Sequence, residues 1–365
     1  MSAAVPARVG ERVIELDVVR AIALIGVCLM NYHAYLILRG GTPGDGFIAR
    51  TLDPWTGPLS TRFAATFVVV AGMGVALMSN RALLTRDRAD ISRIRWVLIR
   101  RGVLLYAFGF FLDWVWSGTI LFYYGAFFLF AAAVFTLRSR WLVLIGATAA
   151  VAAAGLQWWA LERTSHGHSV GWLLDGQAES TLSPRDLLLD TFVRGTHPLL
   201  PWVLFLCAGI VLGRRLPFSA ILRVQLVFLG VLGVAGGYLL SRSLPIHPLL
   251  RSTHPFDRGI LYSLTALGTA IVAACVVGWI AQRAATSRLT QALAVTGRTT
   301  LTLYVLHVLV FNLLVDWLEW VRPAGVGTAV VFALSFWVFA IAFANVWHRR
   351  FEFGPLEWVY RRFSA

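Results

Sequence analysis

Lysine is absent from this 365-residue chain, so its net charge of +14 rests entirely on arginine. Charged residues of all kinds make up only 14%, well below the roughly one quarter usual in soluble domains. Long polar stretches are missing too, which excludes a separate soluble domain. The three cysteines, Cys28, Cys207 and Cys275, all fall in apolar runs with no metal-type or pairing pattern, so a disulfide framework and a cysteine metal site are excluded. No serine elbow of the G-x-S-x-G type, phosphate-cradling P-loop or dinucleotide glycine pattern stands in a suitable context. A serine triad and nucleotide hydrolysis are thereby disfavoured.

What is present is hydrophobic: 58% of residues, in runs that follow one another along the whole length. This pattern predicts a single-domain (1–365), all-helical integral membrane protein, because a lipid-embedded backbone must satisfy its own hydrogen bonds. Ten spans are expected, at 21–38, 63–78, 97–112, 118–137, 141–161, 199–213, 224–241, 260–281, 299–318 and 326–347. The first apolar run is followed by no A-x-A-like site, so it is expected to remain in the mature protein. With the N-terminus inside, 22 of the 32 arginines fall on the cytoplasmic side, and an even span number places both termini there. A basic balance in loops between apolar runs points to topology and anionic lipid, and nucleic acid is not expected as a partner. The expected location is the plasma membrane, crossed many times.

Ionisable groups at membrane depth are costly and mark function. On the first expected span, Asp17, Arg20 and Asn31 fall within roughly 60° of one another at about 100° per residue, with Asn31 about 16 Å beyond the Arg20 level. His33 lies about 200° from Asn31 and joins that stripe only if the helix loosens. It is a candidate general base near the outer surface, or an interfacial residue with one polar tip in water. On the ninth expected span Thr300, Tyr304 and His307 share a face, which sets a second titratable ring near mid-bilayer. The loop 79–101 holds seven arginines. Arg100 and Arg101, running straight into the third expected span, are the ones expected to face inward, where guanidinium forks suit phosphate. His197, in His197-Pro198-Leu199-Leu200-Pro201-Trp202 at the mouth of the sixth expected span, faces either an outer cavity or solvent.

The order of these motifs resembles a known family. Leu16-Asp17-Val18-Val19-Arg20 through Gly26, with Asn31-Tyr32, is similar to the L-D-x-x-R-G-x-A-x-x-G…N-Y opening of the heparan-α-glucosaminide N-acetyltransferase catalytic-domain family and its YeiB-type relatives. The likeness continues in Phe67–Leu77, in Arg100-Arg101 with Ile120–Gly125, in His197–Trp202, in Gly297-Arg298 through Tyr304 and His307, and in Gly354–Trp358. Three departures stand out: Ala21 replaces the customary glycine, Gly118-Thr119 replaces Gly-Asp, and loop 39–62 lacks the family's catalytic histidine.

The resemblance implies a transmembrane acyltransferase that holds no bound cofactor and uses acyl-CoA, such as acetyl-CoA, as co-substrate. The acyl group would pass to an extracytoplasmic sugar or glycolipid. Asn31 matches the family's asparagine and would orient the acyl carbonyl or stabilise the developing oxyanion, while the residues themselves offer His33, or in its place His307, as the base that deprotonates the acceptor. Asp17, Arg20, Arg100, Arg101, Tyr124, His197, Trp202, Arg298 and Tyr304 would line the binding sites. A homodimer is compatible with the sequence. The rival readings are a transporter or channel lined by the same polar residues, and a catalytically silent membrane assembly partner of the same fold.

Overall fold

The computed structural model describes residues 13–174 and 184–364, and it is helical throughout, with no strand among the described residues. The long helices are α1 (Ile14–Leu38), α3 (Arg62–Thr85), α4 (Arg88–Asp113), α5 (Leu121–Val134), α6 (Ser139–Ser165), α9 (Leu199–Gly213), α10 (Ala220–Ser243), α11 (Ile260–Arg283), α13 (Thr300–Phe311) and α14 (Val326–Trp347). Shorter pieces connect them: α2 (Phe47–Thr51), α7 (Gly171–Leu174), α8 (Pro184–Leu189), α12 (Arg288–Arg298) and the terminal α15 (Pro355–Ser364). The stretch before Val13, expected on the cytoplasmic side, lies outside the described residues.

Each of the ten expected ranges falls on one of the long helices, but not all are built to cross a bilayer alone. Among the described residues seven helices are long and apolar enough, or eight if the pair Arg185–Arg194 and Leu199–Gly213, bent by 55°, counts as one span. Two exceptions have physical causes. Arg88, Arg93, Arg95, Arg100 and Arg101, with Asp90 and the terminal Asp113, leave α4 no stretch of 18 residues with two charges or fewer. α5 has 14 residues, about 21 Å, well short of a roughly 30 Å hydrocarbon core. It begins later than the expected 118–137 because Gly118 turns with φ +82° and the chain around Thr119 and Ile120 is tied down by Tyr304.

α1 runs through the middle of the bundle, packing against α3, α11, α12, α13 and α14. Where α3 crosses α9 the backbones nearly touch: a Cβ on Gly209 would lie 2.1 Å from the Val69 carbonyl oxygen. In a membrane, where helix pairs gain little from apolar burial, such small-residue crossings supply the packing. α10 is the most peripheral span, 17% buried, and it turns Ile221, Val224, Phe228 and Leu232 outward. This alternation of helices brings the start of α1, the end of α12, the start of α13 and all of α15 to one end of the bundle, the arginine-rich end.

Candidate functional site

A cavity of about 510 Å³ opens between α1, α3, α4, α5, α13 and α15. Four arginines line it, Arg20, Arg101, Arg298 and Arg361, against two carboxylates, Asp17 and Glu357. Asp17 organises the first wall. Its Oδ1 accepts from Arg20 Nη1 at 2.8 Å and its Oδ2 from Arg298 Nε at 3.2 Å. The i,i+3 spacing read from the sequence supplies the first contact. The second depends on Gly297, where a Cβ would sit 1.8 Å from the Asp17 carbonyl oxygen. Only a residue without a side chain lets the end of α12 press on α1 and present Arg298. Gly297→Ala is therefore expected to push α12 from α1 and lower the thermal midpoint, overpacking of this kind costing about 1–3 kcal/mol. A midpoint equal to that of the parent chain would overturn the close-approach argument.

The opposite wall is α15. Glu357 reaches under the start of α13, accepting from the Leu301 and Thr302 amides at 2.6 and 3.0 Å and from Thr302 Oγ1 at 2.6 Å. These are the unpaired donors of a helix N-terminus, which favour a carboxylate. Burial nonetheless dominates and holds the Glu357 carboxyl above the ordinary carboxylate range. Arg101 completes the wall, with Nε donating to Ser364 Oγ at 3.3 Å and its guanidinium 4.9 Å from the Tyr360 ring.

Tyr304 lines the cavity on the α13 side. Its hydroxyl accepts from the Ile120 amide at 3.1 Å and shares a hydrogen bond with Thr119 Oγ1 at 2.9 Å. Against it packs His307, fully buried, its ring 4.8 Å from the Tyr304 ring and 5.5 Å from that of Trp116. His307 Nδ1 contacts the Tyr304 carbonyl. A carbonyl only accepts, so Nδ1 carries the proton and Nε2 keeps a lone pair. That lone pair accepts from Asn31 Nδ2 at 3.1 Å. Tyr32 fixes the same turn by donating to the His307 carbonyl at 3.0 Å. The arrangement is a neutral imidazole with its unprotonated nitrogen facing the Asn31 amide.

The other expected site residues divide by location. Asp17, Arg20, Arg101, Tyr124, Arg298 and Tyr304 line the cavity, and Asn31 and His307 meet outside its lining. His33 does not join them. It points to the other side of α1, where Nδ1 donates to the Leu52 carbonyl at 2.7 Å, as the 200° phase offset requires. Arg100, expected to face inward, lines a separate surface cleft, because a neighbour on a helix is turned by about 100°. His197 and Trp202 pack together, ring centroids 4.6 Å apart, beside Tyr123 and away from the cavity. Thr119, Glu357 and Tyr360 are not among the site residues expected from the sequence, Thr119 being noted there only as a departure from the family pattern. Glu357 was legible only inside the Gly354–Trp358 motif, since nothing in its spacing says that α15 folds back onto α13.

Fold and site together define a multi-pass, all-helical membrane protein with a polar, arginine-lined cavity. Residues 211–365 match a family model described as protein of unknown function (DUF418), a YeiB-like family of membrane proteins. The matched stretch carries α10 to α15, and with them Arg298, Tyr304, His307 and Glu357. No curated protein matches the chain.

Proposed function

We propose that this chain is a membrane-embedded acyltransferase of the plasma membrane that takes acyl-CoA from the cytoplasmic side and acylates an extracytoplasmic sugar or glycolipid. The observation carrying this reading is that Tyr304, which lines a cavity with four arginines, packs its ring 4.8 Å from that of His307, the partner of Asn31. Arginine placement supports assigning the arginine-rich end, and both termini, to the cytoplasm. CoA phosphates would engage Arg20, Arg101 and Arg298 by bidentate contacts. The acceptor oxygen or nitrogen attacks the thioester carbonyl carbon and gives its proton to His307 Nε2. The carbon–sulfur bond breaks, and the same proton passes to the departing CoA sulfur. Asn31 Nδ2, released from Nε2 as the base takes its proton, turns to the developing oxyanion.

The test uses the full chain in liposomes, with labelled acetyl-CoA supplied to one side at a time and a panel of sugar acceptors. Label in an acceptor, dependent on Asn31 and His307 but retained in His33→Ala, is the expected result. Absence of label with every acceptor, or full labelling by the Asn31→Ala chain, overturns the reading.

A further inference from the structure

α15 has two sides, and only one belongs to the cavity just described. Beyond it, Arg93, Trp96, Val97, Arg100 and Ser364 line a second cleft of about 390 Å³. Arg93 and Arg100 are seven residues apart, two helical turns, so both guanidiniums lie on one face of α4 with Trp96 between them. Among the described residues Asp90 pairs with Arg93 one turn away. Trp96 is 57% exposed, and the outward side of α15 presents Trp358, Val359 and Phe363 beside Arg362. Arginine alternating with tryptophan at the end of a membrane helix is the composition of the headgroup level. Ser364 is common to both compartments: it lines the cleft, and its Oγ accepts from Arg101, the cavity arginine.

We propose that this cleft binds the phosphate headgroup of an anionic phospholipid, which bridges α4 to the end of α15 and holds α15 closed over the cavity. The occupant is a lipid because Trp96 and Val97 line the cleft between the arginines, and Trp96 is exposed. A soluble anion would leave Trp96 uncovered. Nothing in this proposal depends on the chemistry at His307.

The full chain would be placed in nanodiscs of phosphatidylcholine with and without phosphatidylglycerol, and retained lipid counted by native mass spectrometry. Selective retention of phosphatidylglycerol is expected, weakened about tenfold or more in the Arg93→Gln, Arg100→Gln double variant, since each arginine near an anionic surface contributes on the order of fivefold. Arg81→Gln with Arg86→Gln, from the same basic segment, is expected to leave retention nearly unchanged. Hydrogen exchange in residues 355–364 should slow when phosphatidylglycerol is present, in the parent chain and not in the Arg93→Gln, Arg100→Gln variant. Equal retention of both lipids, equal loss in the Arg81, Arg86 variant, or displacement by inorganic phosphate would each overturn the lipid assignment. Retention without slowed exchange would overturn the clamp on α15.

Discussion

Glutamine in place of His307 is expected to lower acceptor labelling by about 10²–10⁴-fold, the range that a positioned general base contributes. The substitution is chosen for shape: glutamine can still donate to the Tyr304 carbonyl and meet Asn31, but it offers no nitrogen able to take a proton near neutral pH. The effect should fall on kcat and leave KM for acetyl-CoA near its parent value, because His307 is not among the residues that line the arginine cavity. Arg298→Ala is expected to show the converse, a raised KM, since it removes a guanidinium that Asp17 holds at the cavity wall. Steady-state labelling at varied acetyl-CoA separates the two. Parent-like kcat in His307→Gln would remove His307 from the chemistry, and a loss confined to KM would make it a binding residue.

The same pair shows how far the sequence could be read. The helical phase of the first span places Asp17, Arg20 and Asn31 on one stripe, and the fold gives each a partner from α1 itself or from the segment around α13: Arg20 and Arg298 for Asp17, His307 for Asn31. His33 lies off that stripe, and its turning away from Asn31 to the side where Leu52 sits follows the phase. That Asn31 would meet His307 was not legible, because periodicity fixes which face a residue takes and not which of several helices lies opposite. Arg100 and Arg101 fail in the same way as a pair. Composition made them look equivalent, and one helical step sends them to different compartments. The short α5 was hidden for another reason: its start is set by the Tyr304 hydroxyl, a contact 184 residues away in sequence.

A buried ion pair between α1 and α10 should give the largest stability effect. Glu15 on α1 accepts from Arg223 Nη2 on α10 at 3.2 Å, and Gln282 at the end of α11 bonds to both side chains. The two charged side chains are 7% and 9% exposed. α10 faces mostly outward, so this cluster and its small-residue contact with α11 are what hold it in place. Arg223→Met alone strands a buried carboxylate and is expected to cost about 3–5 kcal/mol, read as a lowered unfolding midpoint of the purified chain. Adding Glu15→Met removes the stranded charge, and the double variant should recover most of that loss, because apolar replacement of a whole buried pair is often neutral or better. The comparison is a double-mutant cycle on residues in contact, so strong non-additivity is the expected signature. A double variant as unstable as Arg223→Met would mean that the pair itself, and not the avoidance of an unpaired charge, secures α10. Near-parent stability in the single variant would mean that α10 needs no such anchor and is held by its packing on α11.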